Sequence, residues 1–377
     1  MVNKEYIFLD NNSTTKVDPR VLESMMPYFN VSYSNPSSTH HFGLTINEDV
    51  KQAREQIAEI INAEAKEIVF TSGATESISI ALNGIAENYI HRGKHIVTVQ
   101  TEHKAVLDVC KILERKGFEL TYLKVKKNGL IDLDELKEVL KKDTILVSVM
   151  YVNNETGVIQ PIKLISELTH EVGAIFMTDC TQAFGKLAID VEELGIDLMC
   201  LSAHKIFGPK GIGALYYRQN GIKVKLANFN NGNQEQGLRN GTLNVPGIIG
   251  LAKASEIAHD EIFENKNRIE RLRDEIENEL LKIPNTFLNG DLKARIYNTT
   301  NICFHGQDAN ILIGKMKNIA VSNGSACTSA IVEPSHVLKA MGLSDDDAFA
   351  SLRISLGVEN TEEEIQEFIK TIKKLIE

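Results

Sequence analysis

The residues of this 377-residue chain best suited to chemistry stand directly after short apolar runs. Val69-Phe70 is followed by Thr71-Ser72-Gly73-Ala74-Thr75-Glu76, and the run 97–100 by Thr101-Glu102-His103. The run 147–152 leads to Asn153-Asn154-Glu155-Thr156-Gly157. The run 175–178 leads to Asp179 and Gln182, and 198–201 to Ser202-Ala203-His204-Lys205. Ser72-Gly73-Ala74-Thr75 reads as the opening of a helix. A glycine there lets the backbone come close, and the free N–H groups of a first turn favour an anion such as a phosphate. A lysine in a partly buried crevice, such as Lys205, can lose its proton and form a Schiff base. Asp179 beside it could hold a protonated ring nitrogen. There is no Walker A pattern and no G-x-G-x-x-G, so ATP and dinucleotide readings lose their main support. Gly208-Pro209-Lys210-Gly211-Ile212-Gly213 reads as a tight turn into a strand over 214–217.

These residues need a frame that brings them together. Between 67 and about 218 the sequence alternates strand-like runs (68–71, 95–100, 144–152, 174–178, 197–202) with helical segments (77–89, 104–116, 162–172). That alternation predicts a mostly parallel sheet with helices on both faces. In such sheets ligands bind beyond the carboxyl ends of the strands, so five strand ends point polar groups into one crevice. After about 255 the texture changes. A long charged helix is expected to about 282, then punctuation at Pro284 and Asn289-Gly290. A strand over 296–304, a short helix, a Gly/Ser-rich loop over 322–329 and a final helix from 361 follow. This reads as a smaller α+β unit, with Glu362-Glu363-Glu364 on a solvated helix face.

Composition bounds the function. Hydrophobic residues make up 43% and charged residues 24%, ordinary for a globular chain with a large core. The 41 Lys+Arg against 51 Asp+Glu give a net charge of -10, unlike a general nucleic-acid binder. The five cysteines are odd in number with no C-x-x-C pair. Neither a disulfide framework nor a metal site is expected, and a reducing, cytoplasmic location is. No apolar signal segment precedes Asp10, and no run is long enough to span a membrane. Cys110 shares a helix face with Val106, Val109 and Leu113, while Cys180, Cys200 and Cys303 lie in or beside strand-like runs. These four read as packed thiols. Cys327, in Ser322-Asn323-Gly324-Ser325-Ala326-Cys327-Thr328-Ser329, has the open setting that suits a nucleophile.

Several motifs in order resemble one family over nearly the whole chain. They are Leu9-Asp10-Asn11-Asn12-Ser13-Thr14-Thr15, Ser34-Asn35-Pro36-Ser37-Ser38, Phe70-Thr71-Ser72-Gly73-Ala74-Thr75-Glu76 and Thr101-Glu102-His103-Lys104-Ala105-Val106-Leu107. Val152-Asn153-Asn154-Glu155-Thr156-Gly157, Ser202-Ala203-His204-Lys205, Gly324-Ser325-Ala326-Cys327-Thr328-Ser329 and Arg353-Ile354-Ser355-Leu356-Gly357 follow. The sequence resembles the cysteine desulfurases of the NifS/IscS group, class V aminotransferases built on the fold type I frame of pyridoxal phosphate enzymes. The resemblance implies a large domain over 15–255 with a seven-stranded-type sheet, and a small α+β domain from 1–14 and 256–377. It implies pyridoxal phosphate bound through Lys205, with Asp179 on the ring nitrogen, Gln182 on the phenolic oxygen and His103 on the ring face, the last also moving protons. Ala74, Thr75, Ser202 and His204 would hold the phosphate. Thr242 would reach the phosphate of a partner subunit, so a homodimer is implied. Asn154 and Arg353 would bind the substrate carboxylate, and Cys327 would take sulfur from L-cysteine as a persulfide, leaving L-alanine. The sulfur would pass to an acceptor protein, an iron–sulfur scaffold or a tRNA-thiolation enzyme, with no direct contact to nucleic acid or membrane.

Two departures from the family pattern stand out. Asn231-Gly232-Asn233-Gln234-Glu235-Gln236-Gly237 replaces a run of Gly-Gly-Gly-Gln-Glu-Arg-Gly type, and Cys180 stands where alanine is usual. Selenocysteine lyase or another class V activity remains open at this stage. So does a catalytically weak sulfur-carrier or assembly partner.

Overall fold

The computed structural model describes residues 6–221, 223–228, 232–324 and 333–376. Its strands are β1 (Ile7–Phe8), β2 (Ile68–Thr71), β3 (His95–Val99), β4 (Glu119–Leu123), β5 (Thr144–Ser148) and β6 (Ile175–Asp179). They continue with β7 (Leu198–Ser202), β8 (Gly213–Tyr217), β9 (Thr286–Leu288), β10 (Thr299–Phe304), β11 (Ile319–Ala320) and β12 (Ser351–Ser355). Seven form one sheet in the order β2-β8-β7-β6-β5-β3-β4. β3 pairs in parallel with β4 and β5, β5 with β6, and β6 with β7. β8 runs antiparallel to both β7 and β2. Two reversals leave β2 running with the parallel set, so the carboxyl ends of β2, β3, β5, β6 and β7 share one edge.

β2, β3, β5, β6 and β7 are buried throughout, which is why they read as continuous apolar runs. The pleat still sorts their side chains. Val69, Ile96, Leu146, Ile175, Leu198 and Leu215 join one hydrophobic layer with the helices Ala74–Tyr89 and Lys104–Arg115. Their chain neighbours Phe70, Val97, Val147, Phe176, Met199 and Tyr216 join the opposite layer. That second layer takes in the helices His41–Ile60, Ile162–Glu171 and Val245–Asp260. Beyond this sheet, β12-β10-β9 form an antiparallel sheet and β1 pairs in parallel with β11.

Some element limits differ from the sequence reading. The strand expected over 144–152 ends at Ser148, and the one expected over 296–304 starts at Thr299. The single helix expected over 255–282 is two, Val245–Asp260 and Ile262–Leu280, meeting at Glu261. Glu261 has φ -96° and ψ 3°, outside the helical basin, and its carboxylate accepts from Arg20 Nη1 at 2.6 Å. The earlier start is set by Asn244, whose side chain accepts the Gly247 N–H, with Pro246 in the first turn. The helix His41–Ile60 and the edge strand β4 were not expected; β4 is half exposed and lacks a strong apolar run.

Candidate active site

Beyond the five strand ends lies a cavity of about 780 Å³. At one end the chain leaves β2, turns at Gly73 (φ 150°) and starts the helix Ala74–Tyr89. The N–H groups of Ala74 and Thr75 belong to the first turn and have no intrahelical acceptor. Ser202, the last residue of β7, faces them; its Oγ lies 3.5 Å from where a Gly73 Cβ would sit. Gly213 closes the floor, since a Cβ there would meet Leu201 O at 2.4 Å and Gly73 Cα at 2.7 Å. His204 lines the same end, 3.1 Å from Thr14 Oγ1 through Nδ1. Burial, then the charges of Lys205 and Lys210, push its pKa down to about 4, so its ring is neutral. This is a cup of backbone N–H groups and hydroxyls sized for an anion.

Lys205 ends the short turn Ala203–Lys205 that follows β7. Its Nζ donates to the carbonyls of Asn12 at 2.8 Å and Ser13 at 2.5 Å. Burial, then Arg353, lowers its pKa to about 8 against the opposing charges of Asp10 and Asp179. Asp179, buried at the end of β6, accepts the Thr181 N–H at 2.9 Å through Oδ1. Gln182 donates through Nε2 to Asn12 O at 2.9 Å and accepts from Lys186 Nζ at 2.7 Å. Lys186 is enclosed, and burial lowers its pKa to about 7. His103 caps the helix Lys104–Arg115, its Nδ1 accepting the Ala105 N–H at 3.1 Å. Its ring is open to the cavity, yet the surrounding walls lower its pKa, with Asp179 opposing. With Nδ1 accepting, the neutral ring carries its proton on Nε2.

The far wall holds Arg353 on β12 and Asn154 after β5. Arg353 Nη2 donates to Asp10 Oδ1 at 2.6 Å and Nη1 to Asn154 O at 3.2 Å. Glu155, buried beside them, hydrogen-bonds Ser335 Oγ, and burial raises its pKa. Of the expected site residues, Ala74, Thr75, His103, Asn154, Asp179, Gln182, Ser202, His204, Lys205 and Arg353 all line this cavity. Thr242 does not; it stands exposed before the helix Val245–Asp260. Cys327 lies outside the described residues. Gly324 and Glu333, the nearest described residues on either side of it, both line the cavity. The other four cysteines are buried, and burial pushes Cys110 and Cys303 up to about 12 and raises Cys180 and Cys200 further from reactivity.

Residue types alone missed Asn12 and Ser13, which act through backbone carbonyls, and Lys186, which reads as a surface lysine. The polar run Asp10–Thr15 after an apolar pair was the available signal for the first two.

The sequence profile of the family described as Aminotransferase class-V matches residues 7–368. The chain belongs to the class V aminotransferases, in the NifS/IscS group. It is 50% identical over 378 residues to a protein named Cysteine desulfurase IscS from Ehrlichia chaffeensis, covering 98% of this chain and 92% of that protein. A solved structure called NifS-like protein superposes with a TM-score of 0.92 at 37% identity, over 98% of this chain and 99% of that one. The structure of SspA in complex with cysteine superposes with a TM-score of 0.82 at 37% identity, over 94% and 100%.

Against the NifS/IscS pattern, the altered run at 231–237 is absorbed within the protomer; Asn231 lies outside the described residues. Gln236 replaces the usual arginine with φ 58°, and Glu235 before it has φ 45°. Gln236 Oε1 accepts from Tyr217 Oη at 2.5 Å and Gln219 Nε2 at 3.0 Å, and its Nε2 donates to Lys66 O at 2.6 Å. Glu235 is buried, takes both terminal amines of Arg54 and accepts the Phe70 N–H at 2.6 Å. The loop is thereby tied to β2, just before the anion cup. Cys180, the second departure, is fully buried.

Proposed function

We propose that the chain is a pyridoxal phosphate-dependent cysteine desulfurase, which converts L-cysteine to L-alanine and places the released sulfur on Cys327. One observation carries the reading. A lysine amine with a pKa near 8, a buried carboxylate, an anion cup and a buried arginine share a single cavity. Pyridoxal phosphate fits that donor set: its phosphate suits Ala74, Thr75, Ser202 and His204, its ring nitrogen Asp179, its phenolic oxygen Gln182, and its aldehyde Lys205. Once bound, the cofactor supplies a sink for electrons from the substrate's carbons.

The chain's own residues do the rest. Arg353 and Asn154 bind the substrate carboxylate, a task that suits the planar guanidinium fork. Lys205, its pKa lowered to about 8, keeps a substantial neutral fraction near physiological pH, so it takes and returns protons at the substrate carbon. His103, neutral and open to the cavity, carries protons at the ring face. The Cys327 thiolate attacks the substrate sulfur. The carbon–sulfur bond breaks, its electron pair stays with carbon, and a proton there completes L-alanine while Cys327 keeps the sulfur as a persulfide.

A homodimer is part of the reading. Leu22, Met26, Phe29, Val31, Tyr33, Phe42 and Leu44 expose a concentration of apolar surface within one short stretch. Thr242, away from its own cavity, would serve the partner's phosphate. A two-domain division at 15–255, with 1–14 joined to 256–377, is supported by the pairing of Ile7–Phe8 with Ile319–Ala320. The persulfide sulfur passes to an iron–sulfur scaffold or a tRNA-thiolation enzyme in the cytoplasm. Among the described residues no helix is long and apolar enough to cross a membrane.

The test is direct. The purified protein carries a yellow cofactor band and releases equal amounts of alanine and sulfide from L-cysteine when a thiol reductant is present. A protein with neither band nor alanine refutes the proposal.

A further inference from the structure

Arg353 does not stand as a free cation awaiting substrate. It is 6% exposed, with Nη2 on Asp10, Nη1 on the Asn154 carbonyl, and Nε enclosed without an acceptor among the described residues. Asp10 does not line the cavity; it stands behind Arg353. The backbone holds it there. Asn11 N–H donates to Ser355 O at 3.0 Å, and Ser355 N–H donates to Leu9 O at 2.8 Å, two residues beyond Arg353 on β12. The carboxylate is thus delivered to the guanidinium by chain register, with a side chain 19% exposed. Besides Asp10, Arg353 feels the buried Glu155, whose pKa burial raises, and Lys186. Arg353 opposes protonation of Lys205, while Asp10 and Asp179 favour it. The neutral ring of His204 stands beside Lys205 on the same turn, and Lys186 and the neutral ring of His103 face it from other elements.

We propose that Asp10 is a positioning residue for Arg353 that also balances its charge, so that the substrate's α-carboxylate is recognised by a fixed fork and the product carboxylate is readily released. This rests on the desulfurase reading of the site. A fully charged, buried guanidinium would hold any α-carboxylate tightly, L-alanine included. With Asp10 paired to one amine, the fork keeps its direction and gives up part of its pull.

Two substitutions separate the roles. Asp10→Asn keeps an oxygen able to accept from Nη2 and deletes the charge, whereas Asp10→Ala deletes both. For D10N the expected result is a KM for L-cysteine about three- to tenfold lower, with L-alanine inhibiting more tightly by a similar factor and kcat reduced. For D10A the expected result is a KM at least about tenfold higher. A second readout needs neither cofactor nor substrate. In the apoprotein, the pH at which Lys205 becomes reactive is read by competitive acetylation and peptide mass spectrometry. An anion favours a neighbouring ammonium, so its loss in D10N moves the Lys205 midpoint down, by about half a pH unit. A D10N midpoint and KM both unchanged overturn the proposal, as does a KM that rises equally in D10N and D10A. If D10A does not fold, D10N alone decides. A protein with no desulfurase activity whose D10N midpoint still falls refutes the desulfurase reading and leaves the charge role of Asp10 standing.

Discussion

Gly213→Ala should uncouple phosphate recognition from the rest of the site. Gly213 is the first residue of β8, registered opposite Thr71 of β2 and Ser202 of β7. A methyl group there would lie 2.4 Å from Leu201 O and 2.7 Å from Gly73 Cα. Ordinary contacts begin near 3.4 Å, so the strand ends must part by about 1 Å. The neighbours are backbone, which cannot rotate away as a side chain could. The parting separates Gly73 and its following N–H groups from Ser202, the two sides of the anion cup. Overpacking of this kind costs about 1–3 kcal/mol of stability. Loss of one charge-assisted hydrogen bond, at about 1.5–3 kcal/mol, weakens phosphate binding by roughly 10- to 150-fold. The assay is equilibrium binding of pyridoxal phosphate and of unphosphorylated pyridoxal to apoprotein. G213A should lose affinity for the first and hardly for the second, because the added methyl presses on Leu201 and Gly73 and not on Lys205 or Asp179. An unchanged ratio of the two affinities would refute the assignment of this end to phosphate. So would an equal loss of both.

Three further outcomes are expected. The rate at which apoprotein captures pyridoxal phosphate should rise with pH and level off above about 8, where Lys205 is neutral, instead of climbing toward the ordinary lysine value of 10.5; a rate still climbing beyond pH 9 contradicts the placement of that amine. Lys186 has a folded pKa depressed to about 7 from 10.5, so the unfolded chain binds the extra proton between those limits, and apoprotein stability should gain about 1.4 kcal/mol per pH unit across that window. Urea unfolding of Lys186→Met should lack this gain, and retention of the slope would assign it to another group. Cys327→Ala should keep the cofactor band but lose persulfide formation and alanine turnover, while Cys110→Ala, with its buried thiol, should leave turnover intact; normal sulfide release by the Cys327 variant excludes it as the nucleophile.

Much of the site was legible because strand ends leave a local mark. An apolar run that stops at His103, Asp179 or Lys205 announces a polar group at a sheet edge, and five such marks point to one crevice. Asn12 left no such mark. Its role rests on a main-chain carbonyl, which every residue type carries, and its partner Lys205 is 193 residues away. Lys186 reads as an ordinary solvated lysine until packing closes over it. β4 was hidden because only one of its five residues is buried, so its placement comes from pairing with β3. The break at Glu261 has neither glycine nor proline to announce it, and a tertiary ion pair with Arg20 holds it.

The pairing of β1 with β11 places the first strand among the described residues against one that begins 312 residues later, from Ile7 to Ile319. At roughly 5–20 residues per second, a ribosome needs about 15–60 seconds to make that interval. Throughout that time Ile7 and Phe8 have no strand to join, and the register that brings Asp10 to Arg353 does not yet exist. The large sheet can close well before then, since its last strand ends at Tyr217. The newborn protein therefore has the floor of the proposed cofactor site assembled while the wall proposed to receive substrate is still unmade. Activity should appear only after release of nearly the whole chain, later than the first capture of cofactor.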